Sequence, residues 1–147
     1  MSNADINRFI VMCVEQYASS VDQGSAFIYN KLSEAGIINE LIDDYEDMHG
    51  MSTYSLNEYI AKRLDETIKN GDQMKGHTSS KIILISQTIE LIAKKHKHSI
   101  EEVRDRFYKS NVIEMLDDDG TELYGESALY LLSLYENYEL KNKKNEK

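Results

Sequence analysis

Apolar side chains recur along this chain at steps of three and four, the spacing of amphipathic helices rather than of strands. Ile6, Ile10, Cys13, Val14, Tyr17 and Val21 make one stripe on a first predicted helix, from about Asp5 to about Val21. Gly24 and Ser25 open a second, to about Ala35, with Phe27, Ile28 and Leu32 facing inward and Gly36 as its stop. A third runs from Ile37 to about Met48, with Ile37, Ile38, Leu41, Ile42 and Tyr45 inside and Asp43, Asp44, Glu46 and Asp47 outside. Ser55-Leu-Asn-Glu58 has capping-box spacing and opens a fourth helix to about Asn70 on the stripe Leu56, Tyr59, Ile60, Leu64 and Ile68, with Gly71 stopping it.

Between Asn70 and Ser80 the only large apolar residue is Met74, so residues 71–79 read as a linker. A fifth helix is expected from Ser79 or Ser80 to about Lys97, on Ile82, Ile85, Ile89 and Ile92. Ser99-Ile-Glu-Glu102 is a second capping-box pattern, opening a sixth helix with Val103 and Phe107 inside. Val112, Ile113 and Leu116 begin a seventh. The last, from about Ser127 to about Leu140, carries Leu129, Leu131, Leu132, Leu134, Tyr135 and Tyr138 around more than one face, and residues 141–147 form a Lys-rich tail expected to fray.

The pattern repeats. Pairing each position with the one 75 further on aligns Glu15 with Glu90, Ala18 with Ala93, Ile38 with Ile113, Leu41 with Leu116, Asp43 and Asp44 with Asp118 and Asp119, Gly50 with Gly125 and Leu56 with Leu131. The apolar frame agrees at Ile10 with Ile85, Val14 with Ile89, Ile28 with Val103 and Leu32 with Phe107. A unit of about 60 residues has little core of its own, so two copies gain by packing together. The expected fold is all-α: two tandem homologous units of about four helices each, residues 5–70 and 80–140, packed pseudo-symmetrically into one compact body.

Composition agrees with helix: no Pro and only seven Gly in 147 residues. The formal charge of -9 argues against a nucleic-acid binder, which needs a basic face, and favours a basic protein surface as partner. That charge is uneven, with 13 acidic and 6 basic side chains in residues 1–75 against 13 and 11 in residues 76–147. The lone Cys13 permits no intrachain disulfide and lies in the first apolar stripe, as a buried thiol. No apolar run reaches the roughly 18–20 residues of a membrane span and no signal-peptide pattern opens the chain, so a cytoplasmic protein is expected.

Phe9-Ile-Val-Met-Cys-Val-Glu-Gln-Tyr-Ala18, Gly36-Ile-Ile, Leu41-Ile-Asp-Asp-Tyr45, Met48-His49 and the stretch from Tyr54 to Ile60 resemble a small bacterial helical family known as domain of unknown function 3791. The second copy departs from it where Tyr45 is answered by Gly120 and His49 by Tyr124. The resemblance assigns no activity. It implies a neighbourhood: members of the family are often encoded beside an ADP-ribosyltransferase-like toxin, which suggests an antitoxin-like or immunity-like protein.

Met115 to Glu126 imitates a calcium loop at Asp117, Asp119, Gly120 and Glu126, but Met115 stands where the first carboxylate is required. In Lys94-Lys-His-Lys-His98 the two histidines are two residues apart and do not share a helix face, while the lysines suit a helix C-terminus. His49 as a general base, oriented by Asp43 or Asp47, has only Ser52 nearby as a nucleophile. The expectation is therefore a protein-binding module without catalysis, cofactor or metal. Asp43, Asp44, Asp47, His49, Tyr54, Tyr59, Asp118, Asp119, Tyr130, Tyr135 and Tyr138 are its candidate contact residues. The alternative is a structural protein self-associating, as a homodimer, through the last helix; an enzyme built around His49 is the least favoured reading.

Overall fold

The computed structural model describes residues 2–67 and 77–140. Among these, nine α-helices follow one another: α1 Asn3–Val21, α2 Ser25–Glu34, α3 Ile37–Asp43, α4 Tyr45–Met48, α5 Thr53–Leu64, α6 Thr78–His96, α7 Ile100–Tyr108, α8 Asn111–Asp117 and α9 Ala128–Tyr135. Two 3₁₀ turns, Asp119–Thr121 and Leu123–Gly125, join α8 to α9, and a wider π-type turn, Glu136–Leu140, continues α9. No strand occurs among the described residues.

The molecule is built around α1. It lies most extensively against α6 and also against α5, α2, α7 and α3, so ten of its nineteen residues are buried. A helix covered on all sides loses the one-sided pattern by which its stripe was recognised. Besides the predicted Ile10, Cys13, Val14 and Tyr17, the core therefore takes in Phe9, Val11 and Ala18, together with the polar Asn7, Glu15 and Gln16. Asn7 Nδ2 donates to the Ser86 carbonyl at 3.4 Å, which ties α1 to α6. Cys13 is fully buried and its thiol is pushed up by desolvation, in line with an inert packing residue.

Several element boundaries differ from the pattern. The first helix starts at Asn3, because Ser2 caps it in a reciprocal box with Asp5. The stretch from Ile37 to Met48 is broken at Asp44 into α3 and α4. For α5 the cap is Ser52, which accepts from the Ser55 amide, and not Ser55 itself. The same helix stops at Leu64, where Asp65 turns left-handed (φ 56°), so the expected end at Asn70 is corrected; Ile68 and Gly71 lie outside the described residues. Phe27 is 57% exposed, so it does not face inward as expected; Leu129, on the many-sided last helix, is 68% exposed. Other expectations stand as read: Ser99 caps α7 through the Glu102 amide, and Gly36 (φ 77°) provides the left-handed link between α2 and α3; Ser127, expected only as the start of the last helix, caps α9 through the Tyr130 amide. Most of the expected linker and the Lys-rich tail lie outside the described residues.

Candidate functional site

A polar constellation forms where the end of α1, the α1–α2 turn, the start of α6 and the end of α8 meet around a cleft of about 360 Å³. Its floor is Glu15. On a one-sided helix Glu15 would face water; with α1 enclosed, it is only 4% exposed. Ser25 Oγ donates to Glu15 Oε1 at 2.7 Å and Tyr108 OH donates to Oε2 at 3.0 Å. Desolvation pushes the Glu15 carboxyl up to about 7, with the negative charge of Asp117 adding to the rise and the two hydroxyl donors opposing it.

Asp117 performs a second task. The N-cap of α2 is Gly24, which has no side chain to offer, and Asp117 Oδ2 accepts from the Ser25 amide at 3.0 Å instead. A Cβ on Gly24 would come within 3.2 Å of that same oxygen, so the glycine is what allows α8 to approach. Burial raises the Asp117 carboxyl, and the Ser25 contacts hold it down. Lys81 Nζ pairs with Asp119 Oδ1 at 3.2 Å, and near the mouth the His77 ring stacks on Tyr124 with centroids 3.5 Å apart. The lining carries Glu15, Asp22, Asp117 and Asp119 against Lys81 and His77, a balance that suits a cationic or neutral occupant over an anionic one. Among the described residues no group of three or more His, Cys, Asp or Glu side chains has metal-ligating geometry.

The residues singled out from the sequence lie elsewhere. Asp43, Asp44, Asp47 and His49 are exposed on and around α3 and α4. His49 is held by its own helix: its Nδ1 lies 2.8 Å from the Tyr45 carbonyl and its ring stacks on Tyr45 at 4.5 Å. Asp118 is also exposed, with Oδ1 accepting from the Gly120 amide at 2.9 Å, a turn-forming contact. Asp119 reaches the cleft through Lys81. Tyr54, Tyr130 and Tyr138 are exposed at 53%, 46% and 43%. Tyr59 is half-buried and donates to Glu40 Oε2 at 2.9 Å, while Arg63 also pairs with Glu40. Tyr135 is buried against Phe107, with ring centroids 5.9 Å apart, and so is part of the core in this chain. His96 and Lys95 both reach Glu136, at 2.9 and 2.8 Å, and fasten the end of α6 to the turn after α9.

Glu15, Ser25, Tyr108 and Asp117 were not legible as a site. The first is joined to Tyr108 across 93 residues and Ser25 to Asp117 across 92, separations that no local pattern encodes.

An all-helical chain with a buried carboxylate at a polar cleft is a class of architecture, not an activity. Residues 8–71 match the model of a family described as "Protein of unknown function (DUF3791)", a span that takes in α1 from Arg8 onward and runs through α5. The match supports the likeness drawn from the motifs of the first half. No curated protein and no solved structure matches the chain.

Proposed function

We propose that this protein is a non-catalytic binding module, antitoxin-like or immunity-like, that masks a basic surface on a bacterial effector enzyme, the ADP-ribosyltransferase-like kind being the first candidate. The observation that carries the reading is the exposed acidic run Asp43, Asp44 and Asp47: all three stand out from α3, α4 and the join between them. Exposed Tyr54, on the following helix, adds an aromatic anchor of the sort that concentrates binding energy. Tyr130 and Tyr138 on and after α9 are further anchors, and the surplus of carboxylates around the Glu15 cleft extends the same preference for a cationic partner. Self-association is the second reading, favoured by Leu129, which stands 68% exposed beside Tyr130.

The same proposal takes the chain as a tandem of two homologous units. Support comes from the element bounds: α1 and α6 are both nineteen residues long and begin 75 residues apart, each ending on a left-handed residue, Asp22 and Lys97, that are again 75 apart. The N-caps Ser52 and Ser127 of α5 and α9 have the same separation. Tyr29 and Arg104, also 75 apart, are neighbours, as residues near a two-fold axis must be.

Co-expression tests the masking. In cells arrested by an ADP-ribosyltransferase-like effector enzyme, the wild-type protein is expected to restore growth, and the variant Asp43→Lys/Asp44→Lys/Asp47→Lys is expected to lose that protection while still accumulating. Full protection by the triple variant would remove the acidic run from the account.

A further inference from the structure

Arg104 is a cation in the interior. It sits in the middle of α7, is only 2% exposed, and its Nε has no hydrogen-bond partner. No carboxylate among the described residues lies within 4.0 Å of its guanidinium, although Arg106 and Lys109 on the same helix find Glu102 and Asp105. Tyr29 is its polar neighbour: burial raises that phenol, and the guanidinium beside it works in the opposite direction. Tyr29 is a hydrogen-bonding neighbour without formal charge, and a buried cation with no counter-ion among the described residues is stabilised by an anion brought beside it.

The surroundings indicate where the anion goes. Arg104 lines a hollow of about 260 Å³ together with Asn3 and Ile6 from the first turn of α1 and Ser99, Ile100 and Glu101 from the start of α7. Two helix N-termini therefore converge on the space that the guanidinium borders, and the dipoles of a nineteen-residue and a nine-residue helix both present their positive ends there. Ser99 satisfies the Glu102 amide, whereas the amides of Ile100 and Glu101 have no acceptor within the helix. On the other side of Arg104, a second hollow of about 250 Å³ offers Tyr29, Ser33 and Asn39 as neutral hydrogen-bonding groups. Glu101 borders both spaces and Asp105 borders the second, and these two carboxylates oppose an anion.

We propose that Arg104 and the converging N-termini of α1 and α7 form a binding site for the oxyanion group, phosphate or carboxylate, of a small molecule. Its charge preference is the reverse of that of the Glu15 cleft and of the acidic surface, and it stands independently of the masking function. The guanidinium supplies forked donors, the α7 amides supply the rest, and the hollow beyond receives the uncharged body of the ligand against Tyr29, Ser33 and Asn39.

The test is a titration of the intact ¹⁵N-labelled protein with inorganic phosphate and, separately, with acetate, at constant ionic strength maintained by chloride. The Arg104 Nε–Hε resonance is followed. Phosphate is expected to move it saturably, with a midpoint below about 10 mM. If acetate does the same, carboxylate-bearing ligands are included; if only phosphate does, the site is one for phosphate esters. Glu101→Gln is expected to tighten binding about twofold to fivefold, since it removes an exposed opposing charge. Arg104→Met is expected to abolish the saturable shifts of the Ile100 and Glu101 amides. Should that variant not fold, the wild-type titration and Glu101→Gln still decide. An Nε–Hε signal that moves with neither anion beyond the chloride control, or a Glu101→Gln variant that binds no tighter, overturns the site.

Discussion

Glu15 shows how a single residue makes the stability of this molecule depend on pH. Its folded-state pKa is raised from 4.5 to about 7, so between those values the native chain holds a proton that the unfolded chain has released. The stability this group contributes is complete below pH 4.5 and is lost as pH rises through 7, a total of about 3 kcal/mol. Glu15→Gln keeps the shape and can still hydrogen-bond to Ser25 and Tyr108, but does not titrate. Urea unfolding at pH 4.5 and pH 8 should therefore find the variant gaining about 3 kcal/mol on the wild type between the two. Comparing the two proteins cancels the opposite trend from Glu40, Glu66 and Glu136, whose carboxyls are lowered by Arg63, Lys31 and Lys95 respectively, among other contacts. An unchanging difference would mean that Glu15 is ionised in the fold throughout. The sequence placed Glu15 in register with Glu90 and no more; Glu90 remains half-buried and pairs with Arg8 at 3.2 Å, so equal positions in the pattern have unequal environments.

At the scale of elements, local caps are legible in part: Ser99 reads as the cap of α7, whereas for α5 the pattern points to Ser55 and the cap is Ser52. Ser99 and Ser127 are each followed, three residues on, by the amide they cap; Ser99 is visible as a cap and Ser127 as a helix start. The cap of α2 comes from Asp117 and could not be seen, because Gly24 gives no local clue. Replacing Asp117 by Ala should cost about 1 kcal/mol and speed amide exchange in the first turn of α2, as for the loss of any carboxylate cap. The same replacement should lower the Glu15 pKa, since Asp117 is one of the groups that raise it. Faster exchange confined to α8 would assign Asp117 to its own helix instead. The stripe of α1 illustrates the complementary limit. It identified one buried face correctly, yet α7 and α6 cover further faces, and only the assembled helices reveal that Phe9, Val11 and Asn7 are interior. Helix existence was legible from period and caps; the burial of polar positions was not.

For the whole molecule, the packing of α1 on α6 is the largest contact, and it joins the two halves of the chain. Neither half closes its core alone: Ile10, Val14 and Tyr17 on one side and Ile85, Ile89 and Ile92 on the other are buried in a single cluster. Residues 1–67 and 77–147 produced as separate chains are thus expected to co-elute as a folded pair and to lose helical circular dichroism when separated; a half that folds and remains monomeric by itself would contradict a shared core. Charge acts at this scale too, because the first half carries the greater acidic excess and the exposed run Asp43, Asp44 and Asp47. The most direct measurement is a calorimetric titration of an ADP-ribosyltransferase-like effector enzyme into the wild-type protein and into Asp43→Lys/Asp44→Lys/Asp47→Lys, at low and at physiological salt. Saturable wild-type binding that weakens with salt, and a loss of about tenfold or more in the triple variant, is the predicted result. No binding at either salt, or equal affinities for the two proteins, would contradict the masking of a basic surface by this acidic face.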